Sequence, residues 1–247
     1  MARYDEVIER IRSGPYWRLV IRPEPFAENR LRLEELLPTV SKATVRFRGW
    51  DFPHVNRNKA LFTAANYIAT TEDFLSHLEH WRMYMSGQFV YIAGVRESTD
   101  PRWKEKLARS ARFSLIAPST DFDWSKVPGF IEVVNFVYTI TEFFELAARL
   151  NQSLPDTEAT KIIIGLHNIE GFVLTVDDFN RGGLWDPYAA DEQTLENAWT
   201  IPLSTLVRAS ENLTLEAIQW FLVRFGWMEP NTEQIKRDIR ALTQRGP

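Results

Sequence analysis

The sequence of 247 residues contains no cysteine. This absence excludes disulfide bonds, thiolate metal sites and a cysteine nucleophile, and it fits a reducing compartment. We therefore expect a cytoplasmic protein. The first twelve residues are charged and amphipathic, without the apolar segment of a secretory signal or a membrane anchor. The sequence thus predicts a soluble chain that does not associate with membranes.

Several motifs of catalysis and nucleotide binding are also absent. The chain has no Gly-x-Ser-x-Gly elbow, no Ser-x-x-Lys motif, no Gly-x-Gly-x-x-Gly turn and no P-loop. We expect no cofactor, and the sequence favours a protein that is not an enzyme. The net charge of −4 gives no overall attraction to nucleic acid, so such binding would need a local basic patch.

A long, mostly apolar segment from about residue 130 to 150 predicts a central helix. Its polar residues recur on one narrow stripe: Glu132, Asn135, Thr139, Glu142, Glu145 and Arg149. Charged residues inside this segment argue against a membrane span. We expect the stripe to face solvent, or else a second subunit, which leaves a homo-oligomer open.

The remaining patterns predict an α+β fold: a mostly antiparallel mixed sheet packed on the central helix, with a pair of C-terminal helices. We expect a single domain over residues 1–247, with residues 210–244 as a helical part docked on it. The predicted helices cover about 4–11, 72–85, 213–225 and 231–242, with a further helix after Asn29 that ends at Pro38. The predicted strands cover 16–21, 43–50, 67–70, 88–95, 112–117 and 199–207, with an antiparallel hairpin over 161–166 and 172–176.

Two polar clusters are candidates for a site. The predicted strand 43–50 places Arg46 and Arg48 on its polar face and ends in the sequence Gly-Trp-Asp-Phe-Pro-His, which is typical of an ordered turn holding Asp51 and His54. The predicted helix 72–85 carries a stripe of four polar residues: Asp73, His77, His80 and Tyr84.

Histidines and acidic residues in these clusters raise the question of a metal site. His77 and His80 are weak candidates for metal ligands with Asp51 or Asp73, but the His-Glu-x-x-His spacing of metalloproteases is missing. We favour an ordinary histidine pair and predict no metal. The acidic pair Asp177 and Asp178, in a loop predicted over 177–187, is more typical of a solvated turn than of a nuclease.

The C-terminal helices superficially match a helix-turn-helix reader, with Lys236, Arg237 and Arg240 as candidate nucleic-acid contacts. Each helix also carries an apolar stripe, which favours simple packing on the domain. Nucleic acid binding therefore stays open but is not favoured.

Three segments carry a family resemblance: Tyr16–Pro23, Val45–His54 and Trp81–Phe89. Together with the closing Trp220–Trp227 region they resemble a poorly characterised bacterial family whose segments accompany Schlafen/AlbA-type DNA-binding domains. The resemblance implies an accessory, sensing or interaction module in a defence or DNA-linked stress system. It brings no catalytic residue.

These observations lead to one principal hypothesis, a non-enzymatic sensing or protein-interaction module with a protein partner. Eight residues are its candidate partner or ligand contacts: Arg46, Arg48, Trp50, Asp51, His54, His77, His80 and Arg82. The alternatives are a metal-assisted hydrolase or nuclease that uses His54, His77 and His80, and nucleic-acid binding through the C-terminal helices. The principal hypothesis requires that His54 lie near the two other histidines.

Overall fold

The computed structural model describes residues 2–55, 61–74, 77–99, 102–105, 122–176, 184 and 186–244. The described helices are α1 (Ala2–Ser13), α2 (Leu36–Ala43), α3 (Arg96–Thr99), α4 (Val133–Gln152), α5 (Leu203–Arg208), α6 (Ser210–Arg224) and α7 (Thr232–Thr243). The described strands are β1 (Tyr16–Glu24), β2 (Phe62–Thr63), β3 (Tyr67–Phe74), β4 (His77–Tyr84), β5 (Phe89–Gly94), β6 (Phe130–Glu132), β7 (Ala159–His167), β8 (Val173–Thr175) and β9 (Thr194–Pro202). Short 3₁₀ helices cover Leu33–Glu35 and Trp124–Lys126.

Seven of these strands form one antiparallel sheet in the order β2-β3-β4-β5-β1-β7-β9. The central helix α4 covers one face, where the Trp17 ring packs against Phe136 and Phe143. Helix α1 covers part of the other face and buries Val7 and Ile11 beside Ile92. The predicted α+β class, with a sheet packed on a long central helix, is confirmed.

The central helix begins at Val133, three residues later than predicted, because Glu132 caps it. The Glu132 carboxylate accepts hydrogen bonds from the backbone N–H groups of Val134 and Asn135, which have no partner within the helix. Most of the helix is buried, including Glu142. The expectation that its polar stripe faces solvent is wrong for Asn135, Thr139 and Glu142, because these side chains bind Arg48.

The predicted helix over 72–85 is wrong, since residues 72–74 belong to β3 and residues 77–84 to β4, and these two strands pair in antiparallel. Alternate residues of β4, among them Trp81 and Met83, face the main core on the side of α2, and the intervening ones face α1. Because both faces are covered, the polar and apolar residues do not alternate cleanly. The large residues Phe74, Leu78, Trp81 and Met85 therefore happen to repeat at helical spacing.

The predicted strand over 43–50 is also wrong. Helix α2 continues through Pro38 to Ala43, because a proline is tolerated in the first turn of a helix. The chain then makes a single antiparallel bridge in which Val45 and Phe52 exchange both backbone hydrogen bonds at 2.8 Å. The alternation of Ala43, Val45 and Phe47 reflected burial of these side chains, not a strand.

The predicted hairpin over 161–166 and 172–176 does not form. Strand β7 pairs with β1 and β9, whereas β8 pairs in parallel with β6. The predicted strand over 199–207 is instead the end of β9 followed by helix α5. The predicted strand over 112–117 lies outside the described residues, as does most of the predicted loop over 177–187, including Asp177 and Asp178.

The two predicted C-terminal helices are confirmed as α6 and α7. Asn231 caps α7 by accepting a hydrogen bond from the Gln234 backbone N–H at 3.0 Å. Their apolar stripes, which include Ile218, Phe221 and Ile239, join the main core. Among the described helices, none is both long and apolar enough to cross a membrane.

Candidate functional site

One row of paired residues runs across the sheet beneath the candidate site. In the strand register Glu72 of β3 lies opposite Glu79 of β4, Glu79 opposite Ala93 of β5, and Ala93 opposite Trp17 of β1. Residues paired in this way point to the same face of a sheet, here the face toward the central helix. Along this row, the buried carboxylates of Glu72 and Glu79 are followed by the methyl group of Ala93 and then by the ring of Trp17.

The small side chain of Ala93 leaves space between its larger neighbours. A cavity of about 620 Å³ lies there, lined by Ala93, Trp17, Tyr91 and residues of the central helix and of the turn after Val45. Its wall combines aromatic rings with charged and titratable side chains. This size and this mixture are typical of small-molecule sites.

The turn between Val45 and Phe52 brings Trp50 and His54 to the cavity. Gly49 has φ of +82°, a left-handed conformation that a residue with a Cβ adopts only under strain. Just beyond the turn, the Trp81 indole N–H donates to the backbone carbonyl of His54 at 2.9 Å. This contact fixes the backbone of His54 above strand β4.

Glu79 gathers two histidines around one carboxylate oxygen. Its Oε2 atom lies 3.1 Å from Nδ1 of His54 and 2.8 Å from Nε2 of His77, and its Oε1 accepts the backbone N–H of His54 at 2.8 Å. Burial alone would raise the pKa of Glu79, but the two histidine hydrogen bonds outweigh burial and lower that pKa to about 2. The same hydrogen bond with Glu79 raises the pKa of His54, because it favours the protonated ring.

Arg48 joins the turn to the central helix. Its guanidinium binds Glu142 through both carboxylate oxygens and also donates to the side chains of Asn135 and Thr139. The Arg48 side chain is 14% exposed and that of Glu142 is 3% exposed, so the pair is largely shielded from water. Burial raises the pKa of Glu142, and the charge of Arg48 opposes that rise.

Trp50 has two guanidinium groups near its ring. The Cζ atoms of Arg48 and Arg96 lie 5.9 and 5.6 Å from its ring, within the range of cation–π contacts. The Trp50 side chain is nevertheless 40% exposed, and Phe74, which also lines the cavity, is 68% exposed. Two large aromatic side chains therefore face both the cavity and solvent.

Four of the eight predicted contact residues meet at this cavity: Arg48, Trp50, His54 and His77. The rings of His54 and His77 are 4.8 Å apart. Arg46 and Asp51 instead form an ion pair with each other within the turn. The turn and His77 therefore meet at the cavity, although His77 lies on a strand and not on the predicted helix.

His80 and Arg82 lie on the opposite face of the sheet, because β4 is a strand in which residues three apart point in opposite directions. There the Arg82 Nε–H donates to Nε2 of His80 at 3.0 Å, and the His80 ring contacts that of Tyr4 in α1. Burial, with the nearby charge of Arg82, lowers the pKa of His80 to about 4. His77 and His80 consequently do not form a common site.

The candidate nucleic-acid residues lie on the outer side of the C-terminal helices. Arg240 binds Glu211 at 2.7 Å, and Lys236 binds Glu233 at 3.0 Å. Arg237 donates weakly to the backbone carbonyl of Glu233 at 3.4 Å. Two of the three basic groups are thus paired with carboxylates of the same helices.

The sequence-based site omitted Glu79, Tyr91, Ala93 and Arg96. Glu79 lies two residues from His77, a spacing that indicates a common face only once β4 is known to be a strand. Ala93 and Tyr91 give no signal of function, because small and aromatic residues in a strand are ordinary core residues. Comparison of the chain with protein-family models, with curated proteins and with solved structures gives no match.

Proposed function

We propose that the protein is a non-enzymatic sensing module that binds a small planar organic molecule in the cavity above Ala93. The observation that carries this proposal is the cavity itself, a cleft of about 620 Å³ that opens to solvent beside Trp50 and Phe74. Clefts of this size that combine apolar walls with a few polar groups are the usual form of small-molecule sites. A ligand would remove the apolar part of this wall from water.

The lining indicates the chemistry of such a ligand. Trp50 and Phe74 offer exposed aromatic rings, while Arg48 and Glu142 present polar groups already held in place by each other. A rigid lining lowers the entropic cost of binding. The cavity therefore suits a flat ring with a few polar substituents.

Exposed aromatic residues provide a route from ligand to partner. Trp50 and Phe74 line the cavity and are also exposed, so a bound molecule would alter a surface that a protein partner could contact. The family resemblance adds a setting for such a sensor, namely a bacterial defence or DNA-linked stress system.

The test uses the fluorescent probe 8-anilinonaphthalene-1-sulfonate, which brightens in apolar sites. We expect one probe molecule per chain, and about 5- to 30-fold weaker binding for Trp50→Ala, since loss of an aromatic anchor costs on the order of 1–2 kcal/mol. Ala93→Phe should obstruct the cavity and weaken binding similarly. Ala198→Phe, on the exposed part of β9, is the matched control and should bind as the wild type does. Equal binding by all folded variants would refute the proposal.

A further inference from the structure

The Glu79 cluster has the composition of a metal site. Two imidazole nitrogens and one carboxylate oxygen, from His54, His77 and Glu79, lie within 4.8 Å of one another. Two histidines with one carboxylate form a common ligand set for zinc and for ferrous iron, with the remaining coordination positions open. This convergence is independent of the organic ligand proposed above.

The distances within the cluster are close to those of coordination. Ligand atoms about 2.1 Å from a metal ion stand roughly 3.0–3.4 Å apart in octahedral or tetrahedral geometry. Glu79 Oε2 lies 3.1 Å from Nδ1 of His54, within this range, and 2.8 Å from Nε2 of His77, slightly below it, and all three ligand atoms lie within 4.8 Å of one another. The His77 side chain is 37% exposed, so its ring has room to rotate toward an incoming ion.

The surroundings hold the carboxylate ligand in place. Glu79 is fully buried, its Oε1 is bound by the His54 backbone N–H, and the Tyr91 hydroxyl lies 3.5 Å from its Oε2. Such neighbours orient the ligands of metal sites and strengthen binding. The indole of Trp81 fixes the His54 backbone in the same way.

Acidic residues cluster at this end of the cavity. Buried Glu72 lies directly opposite Glu79 on the same face of the two paired strands. Carboxylate oxygens are among the ligands of zinc in proteins. This end of the cavity thus presents a second acidic residue beside the three proposed ligands.

We propose that His54, His77 and Glu79 bind one divalent transition-metal ion, with Zn²⁺ as the representative, on the wall of the cavity. Nδ1 of His54 and Nε2 of His77 are hydrogen-bonded to the Glu79 carboxylate. To bind a metal ion, each of these nitrogens must be without a proton: a neutral ring then carries its proton on the other ring nitrogen, and a protonated ring releases one proton to solvent. The open coordination positions then face the cavity and its contents.

The experiment uses the full chain, treated with EDTA and then titrated with ZnCl₂ by calorimetry at pH 7.5. We expect one Zn²⁺ per chain. His77→Gln should weaken binding by more than about 100-fold, because losing a direct ligand should exceed the roughly 10- to 100-fold effect of losing a residue that only orients one. Co²⁺ should give the visible absorption bands of a low-symmetry site in the wild type but not in His77→Gln.

The matched control is His167→Gln, because His167 lies beside Glu196 on another part of the sheet. This variant should bind Zn²⁺ as tightly as the wild type, within about twofold. No Zn²⁺ binding by the wild type, or equal affinity in wild type and His77→Gln, would overturn the proposal. Because probe binding to the cavity is measured without metal, a failure here is distinguishable from a failure of the proposed function.

Discussion

At the scale of single residues, Arg48 is the best-supported contact between the turn and the core. Its guanidinium forms four side-chain hydrogen bonds with the central helix. Arg48→Met would leave Glu142 buried without its cation, so we expect the free energy of unfolding to fall by about 3–5 kcal/mol. Urea denaturation followed by circular dichroism measures this loss.

The double variant Arg48→Met with Glu142→Leu is the control for this prediction. It removes both charges and should recover most of the lost stability, because an apolar replacement of a buried ion pair is often neutral. A loss below 1 kcal/mol for Arg48→Met alone would show that the pair does not hold the turn to the helix.

The buried His80 should make the stability of the fold depend on pH. Its pKa is lowered from the ordinary 6.5 to about 4 in the folded protein, first by burial and then by the charge of Arg82. Between these values the unfolded chain binds more protons than the folded one, so acidification from pH 6.5 to 4 destabilises the fold, by up to about 3 kcal/mol from this residue.

The measurement compares urea denaturation of wild type and His80→Phe in EDTA across this pH range. Phenylalanine does not titrate, so the stability of the variant should fall less steeply between pH 6.5 and 4. Parallel pH profiles for the two proteins would contradict the assignment of a neutral, buried His80.

Residue types alone identified part of the site. Arg48, Trp50 and His54 stood out because the sequence Arg-Gly-Trp-Asp-Phe-Pro-His combines turn-forming residues with functional ones. Glu79 did not stand out, because a single glutamate acquires meaning only from its partners. Its role depends on the approach of His54 from 25 residues away in the chain.

At the scale of secondary structure, the central helix was predictable and the β3–β4 hairpin was not. The helix is long, strongly patterned and bounded by a capping residue. The two strands are covered on both faces, by α2 and by α1, so their strand periodicity is obscured. Local sequence cannot reveal which elements will cover a strand.

Helix α7 permits a prediction about a single element. Asn231 accepts a hydrogen bond from the Gln234 N–H at the start of this helix, so Asn231→Ala should lower the free energy of unfolding by about 1 kcal/mol. Asn231→Asp should retain the stability, because aspartate also caps helices. Thermal denaturation of the three proteins checks this, and equal midpoints would show that the cap does not stabilise the fold.

At the scale of the whole molecule, the fold class followed from the sequence but the strand order did not. Strand β1 lies between β5 and β7 in the sheet. Both of these neighbouring strands begin more than 60 residues after β1 ends. Such pairing depends on which apolar faces the central helix can cover together. The cavity is a product of this arrangement, since Trp17, Ala93 and Glu79 come from three strands.

Side-chain NMR of the tryptophan indoles tests the central claim most directly, because the nine tryptophans report on different parts of the molecule. During titration with 8-anilinonaphthalene-1-sulfonate, the indole N–H signals of Trp17 and Trp50, which line the cavity, should shift together with one affinity. The signal of Trp220, which lies under Arg224 on helix α6, should stay in place. Shifts at Trp220 without shifts at Trp17 and Trp50 would contradict binding in the cavity.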